Sequence, residues 1–353
     1  MTAELMNLAE KNLKAEIFSA PVVADELERM GKEKHAQIAD IAKEIYKRKP
    51  NTILYFGSGG SSSALFSGYW AALSLLKQPV SYLLAPDIIA SSPAILDENC
   101  VAIGASYSGK TVDTLRAQRW LLERNVPLFS ITRRPDAELA KGATWSMTYE
   151  SIALYSSPAY LTMQLAIELA RLRGEGSAEV DKFEASLHAL PGMLRRSYGP
   201  SRQMAEAKAA ELDEGKLVVL SGGAATMLGY MFAYDMFGEF LKRHAAFIHT
   251  GEFRHGPLEI IQQGEPTMLF VIGNDRSRLF AEAGAKFSKG NGARVVTFDA
   301  RELLPEAHPL LDPLVLYNSQ LWLLYYMACR KNIDLDHYKY MHQVPYAEDD
   351  TYF

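Results

Sequence analysis

Two groups of residues in this 353-residue chain have types and spacings suited to chemistry. The first pairs an acid with a histidine. Glu239 stands sixteen residues before His255, which lies in Gly251-Glu252-Phe253-Arg254-His255-Gly256-Pro257. A carboxylate and a loop imidazole are natural proton shuttles, and Pro257 after Gly256 places His255 in a turn or at a helix start. The plainer alternatives are a surface Glu239 paired with Lys242 or Arg243 along a helix, and a histidine bonded to backbone. His244, His249 and His255 are close in sequence, but no H-E-x-x-H pattern or cysteine partner accompanies them, so no metal site is expected.

The second group is two loops crowded with small hydroxyl residues, Ser58–Ser63 and Ala105-Ser106-Tyr107-Ser108-Gly109-Lys110-Thr111. Glycine lets backbone amides approach an anion, and a following helix adds its N-terminal N–H groups. Hydroxyls of Ser61, Ser106, Ser108 and Thr111 can donate to the remaining oxygens. One such loop reads as turn and cap residues; two, on adjacent strands, favour an anion. A dinucleotide fits less well, because Gly57-x-Gly59-x-x-Ser62 lacks the third glycine and Leu84-Ala85-Pro86 stands where an acid should end the next strand. Lys110 lacks the glycine spacing of a P-loop. The expected ligand is a phosphate monoester.

These loops need a frame. The first 48 residues read as helices, with Ile38, Ile41, Ala42 and Ile45 at helical spacing before Arg48-Lys49-Pro50. Then Ile53–Phe56, Val80–Leu84, Val101–Gly104 and Pro127–Ile131 read as short strands alternating with helices, the mark of a parallel sheet covered on both faces. The order recurs: Leu217–Leu220, Met268–Ile272 and Arg294–Phe298 repeat three of these runs at offsets of about 165 residues. The chain is therefore expected to be an α/β protein of two tandem αβα sandwiches, each with a parallel, doubly wound sheet. The expected division is N-terminal helices over 1–48, a first, phosphate-binding domain over 49–195, and a second domain with a C-terminal tail over 196–353, helices near 151–210 bridging the two. The second copy's loops, Ser221–Ala225 and Gly273-Asn274-Asp275, are poorer in hydroxyls, as if that copy were scaffold.

Composition narrows the classes. A net charge of −5 gives no electrostatic footprint for nucleic acid or an anionic membrane. No apolar run approaches the ~20 residues of a membrane span, and the N-terminus acquires acids and lysines too early for a signal peptide. Cys100 and Cys329 alone are present, which suits a reducing cytoplasm.

Gly59-Gly60-Ser61 after a strand, Ser106–Thr111, and Glu239 with Gly251–Pro257 together resemble the sugar isomerase (SIS) family, from about residue 35 to the C-terminus. In that family's glucosamine-6-phosphate synthase isomerase domain, a Ser-x-Ser-Gly-x-Thr loop binds the sugar phosphate. There a glutamate sixteen residues before the histidine of a His-Gly-Pro motif moves the C1/C2 proton, and the histidine opens the ring. The resemblance thus implies phosphate binding by Gly60, Ser61, Ser106, Tyr107 (where the synthase has glutamine), Ser108 and Thr111, and catalysis by Glu239 and His255, with no metal and no cofactor. Within the family, Gly251–Ile260, Gly273–Arg278 and the tail Tyr340–Tyr346 are closer to the fructosamine-6-phosphate deglycases. The tail position of the synthase's catalytic lysine is Gln343 here. The implied activity is cleavage of 6-phosphofructosyl-amino acids to a hexose 6-phosphate and the free amino acid through an enaminol. The alternatives are an aldose–ketose isomerase of a 6-phosphosugar or amino sugar phosphate, and a non-catalytic sugar-phosphate sensor, for which the short N-terminus leaves little room for a DNA-binding domain. The implied partners are the phosphorylated sugar-amine substrate and a second copy of the chain, in a homodimer or higher homo-oligomer with shared active sites.

Overall fold

The computed structural model describes residues 3–212, 215–262, 265–341 and 343–344. The chain opens with three helices, α1 (Ala3–Asn12), α2 (Val23–Glu33) and α3 (His35–Arg48). Ile38, Ile41, Ala42 and Ile45 form the buried face of α3, which stops at the left-handed Lys49, ahead of Pro50.

The first sheet follows as β1 (Ile53–Gly57), α4 (Gly59–Leu75), β2 (Val80–Leu84), α5 (Ala85–Ser91), β3 (Val101–Ser106), α6 (Val112–Glu123), β4 (Leu128–Thr132), β5 (Trp145–Thr148) and α7 (Ser156–Arg173). Its strands are all parallel, in the order β2-β1-β3-β4-β5. Every residue of β1, β3 and β4 is buried, as expected of strands covered on both faces. Edge strand β2 is half-buried throughout, and so is β5 except for Met147. The reading from sequence lacked β5, whose Trp-Ser-Met-Thr carries no apolar run.

A long helix, α8 (Ser177–Glu211), leads to the second set: β6 (Leu217–Ser221), α9 (Thr226–Met231), β7 (Ala245–His249), β8 (Thr267–Ile272), α10 (Arg278–Gly290), β9 (Arg294–Asp299), α11 (Ala300–Leu303) and α12 (Asp312–Lys331). The order is β7-β6-β8-β9, again all parallel. It repeats β2-β1-β3-β4, with β6 offset by 164 residues from β1 and β8 by 166 from β3. The architecture is thus two αβα layers of one topology in tandem. The second edge strand, β7, reads from sequence only as an apolar link.

The compact units divide at 24/25 and 189/190, rather than after 48 and 195: residues 25–189 form one, residues 1–24 with 190–344 the other. The leading helices are shared out accordingly. The Asn12 side chain, at the end of α1, donates to the Ile333 carbonyl at 2.9 Å and accepts from the Leu335 amide at 3.1 Å, just past α12. The Phe18 ring stands edge-on to Trp322 of α12 at 5.0 Å. No helix among the described residues is long and apolar enough to cross a membrane.

Helices α4 and α7 pack against each other in the first unit. They meet at Gly68, where a Cβ would lie 2.2 Å from the Thr162 Cβ. Gly68→Ala is therefore expected to destabilise that unit by about 1–3 kcal/mol through overpacking, read as a lowered melting temperature. Gly199→Ala is the control, because nothing lies within 4 Å of a Cβ there and alanine is the better helix former. Equal melting for the two variants would contradict the close approach.

Candidate active site

The strand order puts β1 beside β3, and the chain leaves these two strands toward opposite edges of the sheet. This is the switch point at which parallel α/β sheets bind ligands. Out of β1 the chain passes an extended Ser58 and turns at Gly59, whose φ of 54° suits glycine. Gly59, Gly60 and Ser61 then form the first turn of α4, whose N–H groups have no carbonyl partner within the helix.

The hydroxyls expected to bind phosphate gather here. Ser61 Oγ accepts from the Tyr107 amide at 3.2 Å and so ties the two loops together. Ser106 Oγ lies 2.9 Å from Thr111 Oγ1 and accepts from the Gly109 amide at 3.0 Å. Ser108 Oγ, on an exposed residue, accepts from the Lys110 amide at 3.2 Å. Were these ordinary caps, Ser58 and Thr111, at the N-caps of α4 and α6, would hold their helices' amides. Neither makes a capping bond. The Ser58 hydroxyl is buried without a hydrogen-bond partner among the described residues. Hydroxyls, helix amides and a glycine turn together make a cradle for an anion.

From sequence, Arg133 is one of several basic residues, with Lys110, Arg134 and Arg254, open to a substrate carboxylate or to solvent. It is the first residue past β4, whose Thr132 pairs in register with Ser106. Its guanidinium donates to the Tyr107 phenol and lies over that ring, 5.0 Å from the centroid. The only signal in the sequence is its place immediately after a strand.

The second unit has the same turn with a different occupant. Gly223, with φ 59°, follows β6 as Gly59 follows β1. The Asp275 carboxylate accepts from the Ala224 amide at 2.7 Å, from the Ser277 amide at 2.8 Å and from the Ser277 hydroxyl. A Cβ on Gly223 would lie 2.1 Å from Asp275 Oδ2. The protein's own carboxylate thus fills the cradle of this copy, which is why it needs few hydroxyls. Next to it the buried Asp312 accepts from the Asn274 amide and side chain, and burial pushes its carboxyl well above the usual range.

Glu239 lies where α9 widens into a π-helical stretch, Phe232–Phe240, a form found mostly at functional sites. It has no hydrogen bond or ion pair among the described residues. Lys242 instead donates to the carbonyls of Phe240 at 3.0 Å and His337 at 2.7 Å, and Arg243 to those of Leu212 and Gly215. The surface ion pair weighed for Glu239 is therefore not made. Burial pushes Glu239 up to about 6, with the Lys242 charge pulling the other way. Asp235, four residues earlier, is pushed to about 7 by burial and by the charge of Glu239. The Tyr338 ring packs 6.1 Å from Phe240, its phenol raised to about 12 by burial and by Glu239. Sequence reasoning passed over both Asp235 and Tyr338.

His255 ends a 3-10 turn, Phe253–His255, anchored by the buried Phe253. The imidazole is exposed, without a hydrogen bond or ion pair among the described residues, and none joins it to Glu239. The Gln343 amide donates to the Tyr340 carbonyl at 2.9 Å. His342, Pro345 and Tyr346 of the tail lie outside the described residues.

Comparison with known proteins places this geometry. Residues 44–169, spanning most of the first unit, match the SIS domain family. The chain is 28% identical over 305 residues to the fructoselysine 6-phosphate deglycase of Escherichia coli (strain K12), covering 85% of this chain and 88% of that protein. It is 25% identical over 311 residues to the fructosamine deglycase FrlB of Bacillus subtilis (strain 168), covering 83% and 92%. Among solved structures, the C-terminal domain of glucosamine-fructose-6-phosphate aminotransferase from Francisella tularensis superimposes with a TM-score of 0.76 at 18% identity, over 93% of this chain and 98% of that one.

The filled second cradle makes a prediction. Asp275→Ala leaves the Ala224 and Ser277 amides without their acceptor and is expected to cost about 1–3 kcal/mol. Inorganic phosphate is expected to return part of that loss, raising the melting temperature of the variant more than that of the unaltered protein. An equal response of the two would show that this turn does not hold an anion.

Proposed function

We propose, from the match of residues 44–169 to the SIS domain family, that this chain is a phosphosugar deglycase. It would cleave 6-phosphofructosyl-amino acids to hexose 6-phosphate and the free amino acid. The observation that carries the reading is Glu239: a carboxyl with no ion pair among the described residues, raised by burial to about 6, where one group can both take and return a proton near neutral pH. The names and extent of the deglycase relatives support the choice of substrate class.

In this mechanism the substrate phosphate is held by the α4 amides at Gly60 and Ser61 and by the hydroxyls of Ser61, Ser106, Ser108 and Thr111, with Tyr107 lining the loop. His255 assists opening of the hemiketal. Glu239 takes the proton from C1 of the open-chain ketosamine as the C2 oxygen is protonated, giving the 1,2-enaminol. Returning the proton to C2 gives the Schiff base of the aldose, and water releases the amine. Lys242, tethered to two carbonyls, keeps Glu239 from rising further and so keeps it charged in the working range. The exposure of His255 fits a homo-oligomer in which a second copy uses this imidazole.

Glu239→Gln is expected to abolish release of hexose 6-phosphate while keeping phosphate-dependent substrate binding; near-normal turnover would remove Glu239 from the role. Measuring free amine alongside ketose–aldose interconversion separates deglycation from simple isomerisation. Because the base must be ionised, activity is expected to fall as pH drops through about 6. Lys242→Met removes the charge that lowers Glu239, so this acid limb is expected to move to higher pH. An unmoved limb would assign it to another group.

A further inference from the structure

The turn that carries His255 hangs from a second imidazole. The edge strand β7 ends at His249, which pairs in register with Ser221 of β6. The Thr250 amide donates to the Ser221 carbonyl at 2.8 Å and prolongs the ladder by one residue. Beyond it the chain leaves the sheet, and its amides need other acceptors. The Gly251 amide donates to His249 Nδ1 at 3.1 Å. The Glu252 amide donates to the His249 carbonyl at 2.9 Å, and the His255 amide to the Glu252 carbonyl at 2.9 Å. His249 thus accepts twice at the entry of the turn, once through its side chain. An imidazole that accepts at Nδ1 is neutral and carries its proton on Nε2.

Two glycines leave room for this ring, which is half-buried. A Cβ on Gly251 would stand 3.1 Å from His249 Nδ1 and 3.2 Å from its Cε1. One on Gly222, just past β6, would stand 3.5 Å from His249 Nε2 and 2.3 Å from Oγ1 of the buried Thr250. Further along the turn, Phe253 stands edge-on to Phe270 at 6.3 Å, and a Cβ on Gly284 of α10 would lie 3.3 Å from its ring. The turn is therefore held at its base by the sheet, at its middle by Phe253 and at its entry by His249. We infer that His249 is a positioning residue for His255: its Nδ1, by holding the Gly251 amide, sets the path along which the turn presents the exposed imidazole. The inference rests on the ring-opening role of His255 in the deglycase reading and adds a residue to it. A reacting group keeps its place only while the contacts that support it are fixed.

Two replacements of His249 separate its acceptor from its bulk. Asparagine puts Oδ1 close to the place of Nδ1 and keeps an acceptor for Gly251, whereas phenylalanine keeps a ring and removes the acceptor. His249→Phe is expected to lower kcat for release of hexose 6-phosphate by roughly tenfold to a hundredfold with KM unchanged, the cost of a misplaced reacting group. His249→Asn is expected to retain most of the activity. In a His255→Ala background His249→Phe is expected to cost nothing further, because one residue acts through the other. Equal losses in the two His249 variants, or a loss that multiplies with that of His255→Ala, overturn the inference and leave the deglycase reading standing. The backbone amide resonance of His255, followed in protein labelled with 15N-histidine, reads the turn without turnover and is expected to move in His249→Phe and to stay in His249→Asn. If the unaltered protein releases no hexose 6-phosphate, or His255→Ala turns over normally, the deglycase reading or the place of His255 in it falls, and the resonance decides alone. Movement in His249→Phe only keeps His249 as the brace of the turn, and an unmoved resonance overturns it.

Discussion

Most of the organisation of this protein follows from one constraint: the amides at the start of a helix behind a β-strand must find an acceptor. Each sheet sends its first strand into a left-handed glycine, Gly59 or Gly223, and then into a helix whose opening N–H groups point out of the strand end. The two copies meet the constraint differently. Behind Gly223 a carboxylate from the next strand's loop, Asp275, fills the turn. Behind Gly59 the facing loop brings only neutral hydroxyls, which bond to one another and to loop amides. A carboxylate in the turn excludes a second anion by charge and by volume. Hydroxyls do neither, since each can rotate to donate to a new oxygen.

A second constraint acts at the other chemical group. An acid placed in a partly buried position must find a counter-charge, accept protons more readily, or both. Here Lys242 is close enough to act on Glu239 through its charge, but its hydrogen bonds go to the carbonyls of Phe240 and His337. The cation therefore moderates the carboxyl without bonding it. The π-helical widening brings Asp235 onto the same stretch, where the charge of Glu239 adds to burial in raising it.

What could be read in the sequence divides along the same physical lines. β1, β3, β4, β6 and β8 are buried from end to end and appear as mainly apolar runs, that of β4 interrupted by Ser130. β9, though only partly buried, keeps a β-branched and aromatic run and was legible through its place in the repeat. β5 is a short edge strand whose mixed residues leave no such run, and β7, also at an edge, carries only the short run Ala245–Ile248, which reads as a link. The amphipathic stripe of α3 announces a helix with one buried face, but a stripe does not say which sheet it covers, so residues 1–48 looked like one block. The hydroxyl loops were visible because their residues are contiguous. The contact of Asp275 with Ala224 was not, because 51 residues separate them and nothing local requires it. The contact of Arg133 with Tyr107 was hidden for the same reason, 26 residues separating the two.

The duplication and the asymmetry belong together. A single αβα unit with an open cradle leaves loop amides dependent on weak, rearrangeable hydroxyl contacts, and such a loop is only as well placed as the strands beneath it. The second copy keeps the strand order and the glycine turn but locks its loops with charged groups: Asp275 on the turn, Asp312 on Asn274, and Arg278 between Asp299 and Glu282. Buried ionic groups of this kind add little net stability, yet losing one partner is costly, so they tolerate few alternative arrangements. The copy that carries them is well suited to hold Glu239, whose pKa depends on a fixed degree of burial. The copy without them leaves its loop hydroxyls free to rearrange. The two copies thus share one geometry and differ in whether the acceptor behind the glycine is the protein's own.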